Sequence, residues 1–422
     1  MKLWRHFNYP NSLAFLAFWL PISPKMSTIS IFGCLLLMFA ELIKNKFTPR
    51  IHPKNLILPL LFLLYFTSSI LLSEDYSFSW MERKASFLAF PILFLGSTRL
   101  SFRDIFRAFV IGSVVAYLIC MAFAFSNSIH WTGDELSFNP LISESRGFFE
   151  AIMYEGNFFF SKDFSILLQT SYFGLYLTCA ISILWLSERP LFKLSLRVLF
   201  TVLLLAGVLQ TLSISAYGGL CISLAVITLT YLKSRSLKWA GPLVILALAI
   251  LTMFWQPRVR LMLEDLRRTE FRLNPEGRYG MMLRLLSWDA SIEVIREHGF
   301  FGVGLPNAQN VLNSKYKQKG YIYPLKQQLN SHNEYLQIMI ECGLLGLLLL
   351  LASLFFLVHN ALGTMPKLSA FISLFAILMG FNFLFESYLS RYIGISFFCF
   401  FYCLFNSIKD SMNTDESVSK QV

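Results

Sequence analysis

Runs of about twenty apolar residues recur along this chain with polar breaks between them, and no other feature restricts its fold as much. A run of that length matches the hydrocarbon thickness of a bilayer. There the backbone must satisfy its own hydrogen bonds, which leaves the helix as the spanning element. Composition agrees: of 422 residues 55% are hydrophobic, 43 are Phe and only 14% are charged, against about 25% charged in soluble domains. The fold class is therefore an all-α polytopic membrane protein, with about 12 transmembrane helices and a large extracytoplasmic loop. The expected spans are approximately 9–22, 27–43, 56–73, 85–98, 105–126, 166–187, 194–212, 216–232, 240–255, 334–358, 368–385 and 392–408.

Charge orients this bundle. With the N-terminus in the cytoplasm, the inner connections carry Lys44, Lys46, Arg50, Lys54, Arg99, Arg103, Arg189, Lys193, Lys233, Arg235 and Lys238. The short outer connections hold only Lys25, Arg83, Lys84 and Arg391, which is the positive-inside pattern. Much of the net charge of +11 thus follows from topology and is not read as nucleic-acid binding; the partner it implies is membrane lipid. Four regions follow: a nine-span bundle over 1–255 with an outer loop at 127–165, a large extracytoplasmic loop at 256–333, a three-span bundle at 334–408, and a cytoplasmic tail at 409–422. Lys2 and Arg5 precede the first run, but Pro21 and Pro24 stand where a cleavage site needs small residues, so no cleaved leader is expected. The seven Cys all lie in or beside apolar runs and read as small buried hydrophobes.

Within the large loop, Met281–His298 predicts an amphipathic helix, ended by Gly299, Gly302, Gly304 and Pro306. Residues 313–327, NSKYKQKGYIYPLKQ, read as an irregular basic-aromatic flap. The loop runs into Gln328–Leu351, which begins polar around His332 and continues as unbroken membrane helix. If helical from His332, a repeat of about 3.6 residues puts His332, Leu336, Met339, Gly343 and Gly346 on one face, with the glycines open to close approach. Glu334 and Glu341 share another face. A carboxylate as deep as Glu341 costs roughly 2.5–3.5 kcal/mol against lipid, so it must face protein or water.

His332 can exchange a proton near neutral pH, so it is the candidate base; the plainer reading is a residue at a helix start, capped by Ser331 or Asn333. The loop holds twelve Lys and Arg, and arginine forks match phosphate oxygens. For any one of them, Arg272 and Arg278 included, a solvated face is the plainer reading. Arg284 stands out because Trp288, four residues on, shares its helix face. Arg83 and Lys84 can reach the same region, or simply anchor a helix end. There is no Walker loop, no HExxH, no zinc spacing and no Asp-x-Asp type pair in the outer loops, so neither metal nor cofactor is expected.

These residues resemble the O-antigen ligase and polymerase superfamily of bacterial envelope glycosyltransferases. The resemblance lies in Ser331-His332-Asn333-Glu334-Tyr335-Leu336, followed by Glu341, Gly343 and Gly346, and upstream in Arg284, Trp288, Ala290 and the 299–307 turn GFFGVGLPN. Where the family often has Ser-Arg-Gly, this chain has Ser215-Ala216-Tyr217-Gly218-Gly219, so one expected phosphate contact must come from elsewhere, Arg83 or Arg278. The resemblance implies a C-type glycosyltransferase architecture in the bacterial inner membrane, acting on its periplasmic side without metal. It further implies a glycan donor on undecaprenyl diphosphate and an acceptor on lipid A–core for a ligase, or on another lipid-linked glycan for a polymerase. Carried over by position, His332 and Arg284 are catalytic, Arg83, Lys84, Arg278 and Arg272 bind diphosphate, and Asn333, Glu334, Glu341 and Trp288 support them. A transporter or flippase would instead place paired charges along the middle of several spans, where this chain has few.

Overall fold

A computed structural model of the chain describes residues 8–45, 52–73, 78–96, 100–132, 135–142, 147, 150–152, 156–232, 264, 267, 273–278, 280–362 and 364–407. The helices of the first half are α1 (Tyr9–Trp19), α2 (Pro24–Asn45), α3 (Ile57–Leu72), α4 (Ser86–Leu93) and α5 (Phe102–Ser128). A hairpin follows, β1 (Ile129–Thr132) antiparallel to β2 (Glu135–Phe138). Then come α6 (Thr170–Leu186), α7 (Leu194–Gln210) and α8 (Ile214–Tyr231). The second half gives α9 (Gly280–His298), α10 (Ala308–Lys319), α11 (Glu334–Ala361), α12 (Pro366–Phe383) and α13 (Tyr392–Asn406). Among the described residues six helical segments are long and apolar enough to cross a membrane, and α6, α7 and α13 are shorter apolar helices. The expected span at 240–255 and the tail at 409–422 lie outside the described residues.

α13 explains much of the phenylalanine. From Gly394 to Asn406 every residue is buried, which is how a helix apolar on all sides behaves. Phe401 meets Phe109 of α5 at 5.1 Å and Phe375 of α12 at 5.3 Å, both between ring centroids. Lipid gives no hydrophobic drive for helices to associate, so close ring packing of this kind must supply it. Of the seven cysteines, all unpaired, six are buried and Cys221 is partly so.

The loop helices carry their own small core, in which Met282, Leu286, Ala290 and Val294 of α9 meet Leu312 and Tyr316 of α10. Residues 313–319 are not irregular: they complete α10, and Ile322–Lys326 forms a further short helix. Lys319 reaches Asp289 at 2.8 Å and Glu293 at 2.6 Å, and Lys315 reaches Glu297 at 2.6 Å. The lysines that made this stretch read as a basic-aromatic flap instead clamp α10 onto α9.

The 299–304 turn is locked into α11 backbone to backbone. The Val303 N–H donates to the Ile340 carbonyl at 2.7 Å, and the Leu344 N–H donates to the Phe300 carbonyl at 3.2 Å. That exchange breaks the helix at Gly343, whose φ of 67° and ψ of −162° are non-helical. A Cβ on Gly343 would stand 2.3 Å from the Phe300 oxygen, and one on Gly302 would stand 2.7 Å from the Gly343 nitrogen. Gly343→Ala is expected to cost about 1–3 kcal/mol in backbone strain alone, before the contact is relieved. Thermal unfolding in detergent checks this: Gly343→Ala lowers the midpoint, whereas Gly33→Ala, with nothing within 4 Å of the added carbon, does not.

Candidate active site

His332 is not part of the helix it introduces. Asn333 is the N-cap of α11, its side chain accepting from the Leu336 N–H at 3.2 Å, so the helix starts at Glu334. The single face drawn from His332 through Gly343 therefore does not exist: His332 precedes the cap, and Gly343 sits at the kink. His332 instead has a left-handed backbone, φ 45°, a conformation rare outside glycine and a pointer to local function. Its N–H donates to Asn330 Oδ1 at 3.0 Å, and its carbonyl accepts from Trp288 Nε1 at 3.4 Å. Ser331 is fixed as well, through Gln337 Oε1 at 3.1 Å and the Ser291 hydroxyl at 2.9 Å. Loop helix and membrane helix thus hold one short strained segment between them.

The imidazole faces a residue that the sequence did not single out. Nδ1 lies 3.2 Å from Oε1 of Glu386, in the turn after α12. The N–H direction is off line for a full hydrogen bond, so imidazole and carboxylate face one another without closing one. Glu386 is almost completely buried, and its other oxygen accepts from Gln169 Nε2 at 3.3 Å. Arg284 Nε donates to the Phe385 carbonyl at 2.9 Å, next to that carboxylate. Burial pushes the Glu386 carboxyl up, but His332, Arg284 and Arg391 outweigh it, and its pKa lies below the ordinary glutamate value. A depressed folded value stabilises the fold above the ordinary value, and that contribution is lost as pH falls through the depressed one.

A cavity of about 500 Å³ opens on the neighbouring side, lined among others by Trp80, Arg83, Lys84, Asn330, Glu341 and Arg391. His332 and Arg284 are not among its lining residues; Asn330, which holds the His332 N–H, is. Arg83 is exposed and stacks on Trp80 at 5.0 Å. Lys84 is fully buried, donating to the Leu389 carbonyl at 2.7 Å and meeting Glu341 Oε2 at 3.5 Å, with the Tyr65 ring 4.0 Å from its ammonium. Glu341 also accepts from Gln337 Nε2 at 2.6 Å, and Glu334 accepts from the Leu389 N–H at 2.7 Å. Both carboxylates therefore face protein, as the cost of lipid exposure requires. Lys84 and Glu341 neutralise one another, which leaves Arg83 and Arg391 as the exposed cations of the cavity.

The other site residues fall elsewhere. Arg278 is exposed and lies over Tyr323 at 5.0 Å, and Arg272 lies outside the described residues. Ala216, where the resembled family often carries arginine, is buried against Gly174: a carbon added there would lie 2.3 Å from the Ala216 Cβ. Arg391 is the cation the sequence reading passed over; it lines the cavity and its charge also reaches Glu386.

Residues 199–351 match a family model described as O-antigen ligase. The segment runs from within α7 through α8, α9 and α10 into α11, and so includes Arg284, Trp288 and His332. No curated protein matches the chain.

Proposed function

Taking residues 199–351 as placing the chain in the O-antigen ligase and polymerase superfamily, we propose that it transfers a glycan from undecaprenyl diphosphate to a lipid A–core hydroxyl. The observation that carries this reading is the His332–Glu386 pair at 3.2 Å, with Arg284 beside it and an arginine-lined cavity adjoining. Carboxylate facing Nδ1 keeps a proton there and leaves Nε2 free to accept one; alignment of such pairs commonly tightens when substrate binds.

The acceptor hydroxyl gives its proton to His332 Nε2 as its oxygen bonds to the anomeric carbon. The bond from that carbon to the diphosphate oxygen breaks, and the diphosphate leaves with the electron pair. Attack opposite the leaving group inverts the anomeric centre. Diphosphate is already a good leaving group, so positioning and fixed positive charge provide most of the catalysis, and the guanidinium groups supply that charge in place of a metal. Arg83 and Arg391 hold the diphosphate in the cavity, Arg284 guards the reacting end, and Asn333, Glu334, Glu341 and Trp288 fix the frame.

The site end of α11 faces the periplasm in this reading. Twelve spans cross the inner membrane, and the 256–333 loop sits between a nine-span and a three-span bundle. The test is reconstitution with a lipid-linked glycan and two acceptors offered separately, lipid A–core and a second lipid-linked glycan. Transfer to the first alone supports a ligase; transfer to the second alone makes the protein a polymerase, and transfer to neither removes the glycosyltransferase reading.

Arg284→Lys keeps the charge but cannot both donate to the Phe385 carbonyl and present a second nitrogen. Losing one charge-assisted hydrogen bond, about 1.5–3 kcal/mol, predicts a drop in transfer of roughly ten- to a hundred-fold. Unchanged transfer in membranes with equal protein would make Arg284 a surface cation.

A further inference from the structure

The β1–β2 hairpin has one apolar and one polar face. Its pairing puts Ile129 opposite Phe138 and Trp131 opposite Leu136, all four on the same side, with His130 and Ser137 on the other. The apolar side is open: Trp131 is 75% exposed, Leu136 62% and Phe138 58%. A two-stranded sheet is marginal by itself and needs a layer against its apolar face. The 156–160 segment supplies only part of one. Phe159 packs between Phe125 of α5 at 5.0 Å and Phe138 at 6.0 Å.

The position of the hairpin says what completes the layer. β1 continues directly from α5, and the Asn139 N–H donates back to the Ser128 carbonyl at 2.7 Å. The last cation of α5 is Arg107. From there residues 108–128, uncharged throughout, rise at about 1.5 Å each and cover roughly 30 Å, the thickness of the hydrocarbon core. The hairpin therefore leaves α5 at the bilayer boundary, beside Phe125, which is 45% exposed. Open strand edges cannot enter hydrocarbon, while a tryptophan with a polar N–H suits the headgroup zone.

We propose that the β1–β2 hairpin is a lipid-contact blade, seated in the interfacial zone of the bilayer with Ile129, Trp131, Leu136 and Phe138 against the acyl chains.

Spin labels on Trp131→Cys and Ser137→Cys in the full chain, in proteoliposomes of zwitterionic and anionic phospholipid, test this. The unsubstituted chain serves as labelling background for the native thiols. The blade predicts that the label at 131 collides several-fold more with oxygen than with an aqueous nickel chelate, and the label at 137 the reverse. Equal nickel access at both positions would put the hairpin in water, and shielding from both reagents at 131 would mean protein covers it; either overturns the proposal. Should labelling disturb the hairpin, vesicles with brominated acyl chains give a second reading on unlabelled protein. Trp131→Phe then removes part of the quenched fluorescence, and an unchanged quenched fraction counts against the blade.

Discussion

Replacing His332 by alanine is expected to lower glycan transfer by roughly 10²–10⁴-fold, the usual loss when a general base is removed, with the amount of protein in the membrane unchanged. The ring is only partly buried; its backbone N–H and carbonyl contacts survive truncation, and Glu386 keeps Arg284, Arg391 and the Gln169 hydrogen bond. Alanine keeps both backbone contacts, at a small strain cost because histidine, unlike alanine, is enriched at left-handed φ. Transfer measured in isolated membranes beside a quantitative blot separates chemistry from folding. Near-normal transfer would mean that the proton goes elsewhere.

The largest expected effect on stability lies at Lys84. Removing one partner of a buried ion pair leaves an uncompensated charge, at a cost of about 3–5 kcal/mol. Lys84→Met does this to Glu341 and also strips the Leu389 carbonyl of its donor. The Leu389 turn holds Glu334 as well, through the Leu389 N–H, so the loss reaches the first turn of α11. Thermal unfolding in detergent should show a much lower midpoint for Lys84→Met and a substantial recovery for Lys84→Met with Glu341→Gln, which removes the stranded charge. A double variant as unstable as the single one would mean that the pair is not what holds these segments.

What the sequence disclosed is what local rules govern. The helix ending at His298 is visible from its spacing and its glycines, while the cap of α11 is left between Ser331 and Asn333 and folds on Asn333. Glu341 has to face protein or water because its charge is too costly in lipid, and Lys84 receives it. Gly302 and Gly343 stood out as glycines, yet their interlock depends on two segments meeting 40 residues apart, which spacing does not reveal. Glu386 was invisible for the same reason: a single acidic residue in a short turn acquires meaning only when folding brings it to His332. Arg391 looked like one more cation at a helix end. α10 was missed because its exposed faces are lysine and glutamine, and its helicity becomes apparent only with Asp289, Glu293 and Glu297 opposite.

A double-mutant cycle of His332 and Glu386 on transfer rate in proteoliposomes tests most directly whether the two act as one unit. Residues that share one catalytic task are far from additive. If the pair is the proton-accepting device, Glu386→Gln slows transfer in an otherwise intact enzyme but adds little once His332 is alanine. If Glu386→Gln slows the His332→Ala enzyme by the same factor as the wild type, the two residues work independently and the proposed site is wrong.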